Sequence, residues 1–184
     1  MNIFFTHVDP KIAVTHLDDK RLVKMVLETA QLLCTAVNEN AGYSVSPYKS
    51  THRNHPSAKW VSSNLANFQW LFSYFTAICE EYHARYGKIH KSYDKIINSD
   101  LYDLAEVFIP YGDFTFPPNC AANGDFGLSF KHVSDVVTAY RTYLCARICL
   151  TDKNPRISKR DIDVNAYKSM FSVTDDDILS GIVQ

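Results

Sequence analysis

The sequence predicts a mainly α-helical protein, a single compact helical domain built around one long central helix at about residues 56–86. Apolar side chains recur in alternating steps of four and three between Val61 and Tyr86, which is the spacing of one face of a helix. Proline follows both Asp9 and His55, and proline after a capping residue is typical of a helix start. The 184 residues, 46% of them hydrophobic, suffice for one domain with a core.

Capping residues and helix breakers place the elements in chain order. The predicted helices are a short one from Asp9 to about Leu17, a second over 20–37 capped by Asp18 or Asp19, the long one over 56–86, a fourth within 92–107 and a fifth over 134–150. Prolines and glycines are frequent over 108–131, which predicts an irregular segment. We therefore expect a helical core domain over 1–152 and a tail over 153–184 with a short helix after Asp175.

A second stripe runs beside the apolar face of the long helix and is apolar in its middle but polar towards its ends. Its members are Trp60, Asn64, Asn67, Leu71, Tyr74, Ile78, Glu81 and Arg85. Such a stripe can form the wall of a polar cavity or a solvated face beside the core. The sequence leaves both interpretations open.

Composition limits the classes of function. The formal net charge is −1, whereas a protein that wraps long duplex DNA usually has a basic excess. A contact with nucleic acid is therefore expected at a local patch, or the ligand is a small nucleotide. The sequence has no apolar run approaching the roughly 20 residues of a membrane helix, and its first residues lack the basic start of a signal peptide. We expect a cytoplasmic protein without a membrane partner, and its oligomeric state stays open.

The cysteines do not indicate a metal site. The sequence has five, at spacings that match no zinc finger or knuckle. Cys145 and Cys149, four residues apart on a predicted helix, could hold half of a metal site, but no histidine lies nearby in sequence. We interpret the cysteines as reduced thiols and expect neither a metal nor another cofactor.

The start of the second helix carries a cluster of charges. Lys20, Arg21 and Lys24 lie near free backbone amides, and cations at a helix N-terminus form an anion site. Glu28 lies one turn after Lys24 on the same face and is a candidate general base. The alternative is an exposed ion pair between residues four apart, and the sequence leaves both open.

A second cluster, Thr51–Trp60, leads into the long helix. His52, His55 and Lys59 are candidate phosphate ligands, and Trp60 is a candidate for stacking on a base. Capping of the helix by a histidine and packing of the tryptophan would account for the same residues without a function.

Two further clusters are candidate anion sites. Arg85, Lys88 and His90 surround the end of the long helix, where cations also offset the helix dipole. His90 could act as a general acid or base. Tyr140 and Arg141 lie on the fifth helix, and an arginine there could clamp an anion through two hydrogen bonds. The sequence contains no P-loop, dinucleotide-binding turn, nucleophile elbow or zinc-protease helix.

Four segments together resemble a known family. They are Leu17–Gln31, Thr51–Pro56 with Trp60 following, the charged and aromatic residues of 81–91, and Ala139–Arg141. In order and spacing they are similar to a family of small, mostly bacteriophage-borne proteins described as pyrimidine-dimer DNA glycosylases or left uncharacterised. The resemblance covers roughly residues 1–150.

The resemblance implies base excision with a linked lyase step in which an amine attacks the sugar carbon and forms a Schiff base while a carboxylate assists. Phage enzymes of that type use a freed N-terminal amine. Here the second residue is Asn2, and a large residue at this position normally blocks removal of the initiator methionine. We therefore expect Lys20, Lys24 or Lys59 to serve as the nucleophile, with Glu28 as acid or base and His55 assisting.

Two alternatives belong to other classes. The first is a protein that binds or cleaves a small nucleotide, for example a phage protein that removes a host immune signal, with 108–131 as its lid. The near-zero net charge favours a compact ligand over a duplex. The second is a non-catalytic interaction protein, in which all four clusters serve as caps and ion pairs.

Overall fold

A computed structural model, which describes residues 2–183, has the mainly α-helical fold that the sequence predicts. The helices are α1 (Pro10–Thr15), α2 (Asp19–Ala41), α3 (Pro56–Ser63), α4 (Leu65–Tyr86), α5 (Lys91–Ile97), α6 (Leu101–Phe108), α7 (Val136–Ala146), α8 (Val164–Phe171) and α9 (Asp175–Leu179). The short strands are β1 (Ala122–Asn123), β2 (Leu128–Ser129), β3 (Arg156–Ile157) and β4 (Arg160–Asp161). They form two antiparallel hairpins, β1–β2 and β3–β4.

Helix α2 is the element around which the others pack. Its 23 residues span about 35 Å, and it contacts α3, α4, α5 and α6. Every residue from Leu32 to Asn38 is buried, so this half of the helix is enclosed on all sides. The first half instead exposes Lys20 and Lys24 on one side. Its start is set by Asp18, whose carboxylate accepts a hydrogen bond from the Arg21 backbone N–H at 3.0 Å.

The prediction of one long helix over 56–86 is wrong, because α3 and α4 are separated at Asn64. Asn64 has an extended backbone (φ −161°, ψ 162°), and its side chain accepts a hydrogen bond from the Asn67 N–H at 2.9 Å. The Leu65 N–H donates to the carbonyl of Pro110 at 2.8 Å rather than to a preceding turn of helix. A distant segment therefore takes up the backbone bond that would have continued the helix.

The second stripe of the predicted long helix forms neither a solvated face nor a cavity wall. Its apolar members are buried, and so are two of its polar members, Asn67 and Arg85. Asn67 is fully buried because its amide holds the segment that follows α6: its Oδ1 accepts from the Thr115 N–H at 2.9 Å, and its Nδ2 donates to the Thr115 hydroxyl at 3.0 Å. Amides within this stripe serve to anchor a loop.

Two other predicted helices differ in detail from the structure. The stretch over 92–107 contains two helices, α5 and α6, with Asn98–Asp100 between them. Helix α7 is capped by Asp135, whose carboxylate accepts from the Thr138 N–H at 2.8 Å, and it passes at Arg147–Thr151 into a π-helical turn. A π-helical turn shifts the following residues around the helix axis, and such turns are frequent at functional sites.

The segment over 153–183 packs against the helical core. Its helices α8 and α9 both contact α7. The hydroxyl of Tyr167 donates to the carbonyl of His16 at 2.6 Å, and the Val183 N–H donates to the carbonyl of Gly127 at 2.8 Å. Gly181 lies so close to Phe130 that a Cβ would come within 2.1 Å of its ring, so glycine is required there.

Within residues 2–183, no helix is long and apolar enough to cross a membrane. The same part of the chain contains no group of three or more His, Cys, Asp or Glu side chains that could hold a metal ion. All five cysteines are free thiols, and three of them are buried.

His16 is a buried titratable group where α1, α8 and the first residues meet. Its Nδ1 lies 2.9 Å from the Thr6 hydroxyl, and its ring packs edge-on against Phe171 with 4.8 Å between centroids. Burial lowers the pKa of His16 to about 4, and the charge of Arg141 adds to the effect. The imidazole is therefore neutral in the folded protein at neutral pH.

We predict that His16 makes the fold sensitive to mild acid. Between about pH 6.5 and 4, His16 binds a proton in the unfolded chain but not in the folded chain. The free energy of unfolding therefore keeps the whole contribution of neutral His16 above this range and decreases as the pH falls through it. The expected loss from His16 is about 2 kcal/mol on going from neutral pH to about pH 5. Urea unfolding of wild type and His16→Asn across this range measures it. The variant should show a shallower pH dependence than the exposed control His132→Asn, and equal slopes would contradict the prediction.

Candidate functional site

A cavity of about 280 Å³ opens between the first half of α2 and the segments that contain β1 and α7. Its lining residues are Asn2, Phe4, Lys20, Arg21, Lys24, Met25, Glu28, His55, Cys120, Ala122, Asn123, Tyr143 and Arg147. The cavity thus has one wall from the N-terminal part of the chain and another from residues 120–147. Among the catalytic candidates that the sequence offers, Lys20, Lys24, Glu28 and His55 line the cavity together with Arg21, whereas Lys59 and His90 do not.

The α2 wall follows directly from helix periodicity. Lys20, Lys24 and Glu28 are spaced four apart, and residues at this spacing lie above one another on one face. The Nζ of Lys24 lies 3.2 Å from Oε1 of Glu28. The lysine side chain is 69% exposed and the glutamate 17%, so the amine reaches towards solvent while the carboxylate lies deeper. An amine and a carboxylate at this distance can exchange a proton.

His55 caps α3 and faces the same cavity. Its Nδ1 accepts a hydrogen bond from the Ser57 N–H at 3.2 Å, so the neutral ring carries its proton on Nε2. Burial lowers the pKa of His55 below its ordinary value, and nearby positive charges, including that of Lys131, act in the same direction as burial. A neutral imidazole whose Nε2–H is not used by the helix cap can donate a hydrogen bond to a ligand.

Arg147 supplies the cation of the opposite wall. Its Nη1 donates to the Tyr143 hydroxyl at 2.9 Å, and its Nε donates to the Thr151 hydroxyl at 2.8 Å. The guanidinium also lies over the ring of Phe126, 4.3 Å from the centroid. These contacts hold the arginine in one orientation, with its side chain only 9% exposed.

Asp152 joins the two walls. Its side chain is 5% exposed, and its carboxylate binds Arg21 at 2.8 Å, Arg147 at 3.3 Å and Lys20 at 3.7 Å. Arg21 also forms an ion pair with Asp18. The anion site predicted at the start of α2 is therefore occupied by carboxylates of the chain itself, and Lys20 and Arg21 are held in place by them.

The floor of the cavity includes Asn2. Its Oδ1 accepts a hydrogen bond from the Tyr140 hydroxyl at 2.5 Å, and its Nδ2 donates to the Cys120 carbonyl at 3.2 Å. Tyr140 is itself fully buried behind the cavity. It positions Asn2 and the loop at Cys120 instead of presenting its hydroxyl to the cavity.

The lining carries more positive than negative charge. Four of the lining residues are lysine or arginine, and Glu28 is the one carboxylate among them. Exposed Lys131 adds a further positive charge near His55. A chain with a net charge of −1 therefore still presents a local site that attracts anions.

Arg85 does not line this cavity. Its side chain is 2% exposed and binds Glu81 at 2.7 Å, the carbonyl of Leu17 at 2.7 Å and Asp19 at 3.1 Å. Asp19 in turn accepts hydrogen bonds from backbone N–H groups of the β3–β4 turn. Arg85 connects the end of α4 to the start of α2 and has no donor directed to a ligand.

The remaining predicted anion ligands also lie outside the cavity. Trp60 is buried, and its Nε1 donates to the carbonyl of Thr115 at 3.0 Å. His90 caps α5 and lines a separate cavity of about 220 Å³, where burial lowers its pKa. Arg141 donates from Nε to the carbonyl of Thr6 at 2.9 Å. His52, Lys59 and Lys88 are exposed and do not line the cavity.

Sequence reasoning missed the second wall. Asn123, Tyr143, Arg147 and Asp152 are separated from α2 by long stretches of chain, and their convergence depends on how α7 packs. One signal was available, because an arginine at 147 continues the apolar face of α7 that includes Tyr140 and Tyr143. A buried arginine requires a partner, and this one uses a carboxylate at the cavity.

Fold and cavity together define a class of protein. It is a small helical protein whose cationic cavity holds an amine beside a carboxylate and a neutral imidazole, groups that can transfer protons and form a covalent bond to an electrophilic carbon. A family model described as pyrimidine dimer DNA glycosylase matches residues 1–95, more than half of the 184 residues. The chain belongs to this family, which supports a function of the DNA-glycosylase type in repair and a contact with DNA.

No curated protein and no solved structure matches the chain. The family match covers α1 to α4 and the α2 wall with His55, whereas the wall formed by residues 120–147 lies beyond it.

We predict that Asp152 contributes more to stability than an exposed carboxylate in an ion pair. Asp152→Asn removes the carboxylate that the buried guanidinium groups of Arg21 and Arg147 share. Removal of one partner of a buried ion pair lowers the free energy of unfolding by about 3–5 kcal/mol. Asp161→Asn is the matched control, since Asp161 pairs with Arg156 on the surface with 80% of its side chain exposed, and such pairs contribute less than about 1 kcal/mol. Chemical denaturation of both variants tests this, and equal losses would contradict it.

Proposed function

We propose that this protein is a DNA-repair enzyme of the base-excision kind, a glycosylase with a linked lyase step, which acts through the lysine, arginine, glutamate and histidine residues of the cavity. The observation that carries the proposal is the distance of 3.2 Å between the Lys24 amine and the Glu28 carboxylate at an anion-attracting site. Membership of the pyrimidine dimer DNA glycosylase family supports DNA as the substrate.

Lys24 is our candidate for the nucleophile. An ammonium group must give up a proton before it can attack, and Glu28 is within reach to accept it. Lys20 is a weaker candidate, because it pairs with Asp152, and Lys59 does not line the cavity.

The reaction requires two changes of bonding at C1′ of the damaged nucleotide. The amine nitrogen forms a bond to C1′ while the bond from C1′ to the base breaks, and the base leaves with the bonding electrons and takes up a proton. Glu28 returns the first proton to the departing base and takes a second from the nitrogen, whose lone pair then forms the C1′=N bond. The C1′–O4′ bond breaks, O4′ takes up this second proton as a hydroxyl, and the product is an iminium, the Schiff base from which the lyase step proceeds. In this proposal, Glu28 receives the proton of the amine, the His55 Nε2–H donates a hydrogen bond to the substrate, and Arg21 and Arg147 offset phosphate charge.

Reduction with borohydride tests the proposal, because it converts the Schiff base into a stable covalent adduct. We expect wild-type protein to be trapped on duplexes with a thymine dimer or an abasic site. Lys24→Arg keeps the charge and cannot form the Schiff base, so trapping should fall by about 100-fold or more. Glu28→Gln should slow the reaction by about 10²- to 10⁴-fold. Lys91→Arg and Glu39→Gln are the matched controls and should react as wild type.

Peptide mapping of the adduct separates the two parts of the proposal. An adduct on Lys20 or on the peptide that contains Asn2 would overturn the role of Lys24 and leave the glycosylase/lyase function intact. If wild-type protein forms no adduct and leaves every damaged duplex uncut, the function itself is wrong.

The size of the cavity favours a second candidate, the binding or cleavage of a small nucleotide. Its two walls enclose about 280 Å³, a space comparable to one nucleotide. Thermal stabilisation by mononucleotides, cyclic nucleotides or ADP-ribose-type compounds, lost in Arg21→Ala and not produced by damaged DNA, would favour this candidate. Stabilisation by damaged DNA alone would exclude it.

A further inference from the structure

An exposed aromatic cluster lies in the segment between α6 and β1. Tyr111 is 82% exposed, Phe114 37% and Phe116 53%. The rings of Phe114 and Phe116 lie 5.9 Å apart, so the two side chains form one surface. We call Phe114 and Phe116 the aromatic ridge, and Tyr111 lies in the same exposed segment. Large aromatic side chains grouped in solvent are unusual unless they contact a partner.

The aromatic ridge is rigid because its backbone is tied to buried side chains. Between the two phenylalanines, the Thr115 N–H donates to Asn67 at 2.9 Å, and the Thr115 carbonyl accepts from Trp60 Nε1 at 3.0 Å. The ridge is supported from below by Phe5, whose centroid lies 5.2 Å from that of Phe116, and by Trp70, 6.2 Å from Phe114. The rings therefore keep their place without a ligand, and binding would cost little ordering entropy.

The aromatic ridge is close to the cavity along two paths. Phe116 precedes Cys120 of the cavity by four residues, which limits the separation of their Cα atoms to about 14 Å, or about four stacked nucleotides of a DNA strand. Along α3, Trp60 below Phe114 follows His55 of the cavity by five residues, a rise of about 8 Å. A strand with one nucleotide in the cavity would thus reach the ridge with its neighbours.

Two exposed lysines lie near the route from the cavity to the aromatic ridge. Exposed Lys59 lies on α3 between His55 and Trp60, and exposed Lys131 lies near His55 and Cys120. Asp113 is the one acidic residue within the ridge segment over 111–116. Aromatic faces beside lysines are the arrangement by which proteins bind unpaired nucleic-acid bases and their phosphates.

We propose that the aromatic ridge is a stacking surface for unpaired bases of the DNA strand that enters the cavity. The inference rests on the proposed function in so far as DNA is the ligand, and it adds a recognition surface that lies beyond the segment matched by the family. Bases beside a lesion are the natural occupants, since they are the least well stacked and every base has an aromatic face.

Tryptophan fluorescence offers a direct probe. The chain has two tryptophans, Trp60 and Trp70, and both lie within 6.5 Å of the Phe114 ring, at 6.4 and 6.2 Å. Titration with an oligothymidylate of about 12 nucleotides should quench their emission. The double variant Phe114→Leu with Phe116→Leu keeps the apolar contacts below but removes the aromatic faces, and it should bind about 10-fold or more weakly. Tyr43→Ala, at an exposed tyrosine beyond the far end of α2, should bind as wild type.

Binding by the double variant is measured by fluorescence anisotropy of a labelled oligonucleotide, and its thermal unfolding verifies that the fold is kept. Wild-type affinity in this variant would overturn the proposal. Sedimentation gives a second test. If wild type has the mass of a dimer, the double variant has the mass of a monomer and both bind DNA equally well, the proposal is overturned and the ridge is a contact with a second copy of the chain. Borohydride trapping is independent of this result. If the double variant binds DNA like wild type and the wild-type protein is trapped, the ridge proposal fails and the proposed function stands. If binding depends on the ridge and no adduct is trapped, the proposed function fails and the ridge proposal stands.

Discussion

The carboxylate of Asp152 is the interaction on which the geometry of the cavity depends. Lys20, Arg21 and Arg147 come from two helices, and three cations brought together without a counter-charge would repel one another. Asp152 directly follows the π-helical turn at the end of α7, and its backbone N–H donates to the carbonyl of Arg147 at 2.8 Å. The π-helical turn therefore places Asp152 against Arg147 of the same helix. The carboxylate of Asp152 also reaches Arg21 and Lys20 on α2.

This pairing explains how a chain without a basic excess can present a cationic site. Arg21 and Arg147 are buried and oriented by acidic partners, but the four cations Lys20, Arg21, Lys24 and Arg147 outnumber the three carboxylates that pair with them, Asp18, Glu28 and Asp152. Lys24 is different, because its only acidic partner in an ion pair among the described residues is Glu28, which itself lines the cavity. The pair of Lys24 and Glu28 is thus the part of the charge network that is open to a ligand, and a substrate that separates the two need not disturb the interactions that hold the walls together.

The sequence predicts those features that depend on nearby residues. The caps of α1 and α2 follow from Asp9 and Asp18, and the shared face of Lys20, Lys24 and Glu28 follows from their spacing. Features that depend on distant residues were not predictable.

Helix α4 shows why. The apolar repeat of the sequence continues across Asn64 because α3 and α4 both bury their apolar faces. The repeat therefore does not show that the helix is interrupted, which the hydrogen bond from Leu65 to Pro110 does show. Arg85 is ambiguous in the sequence, because a cation near a helix end can be an anion ligand. In the structure its guanidinium donates hydrogen bonds to three partners, Glu81, the Leu17 carbonyl and Asp19. Whether a charged residue is a ligand or a structural clamp depends on which partners reach it, and the sequence alone does not contain that information.

The family model matches one wall of the cavity and not the other. The amine, the carboxylate and the imidazole all lie within the part of the chain that the family model matches, on α2 and at the start of α3. Arg147, Asn123 and the segment that carries Phe114 and Phe116 lie beyond it. Helix α2 fixes the distance between the candidate reacting groups, whereas the other wall combines the end of α7 with the loop residues Cys120 to Asn123. Under our proposal, the reacting groups thus come from the matched part of the chain, and most of the recognition surface comes from the rest.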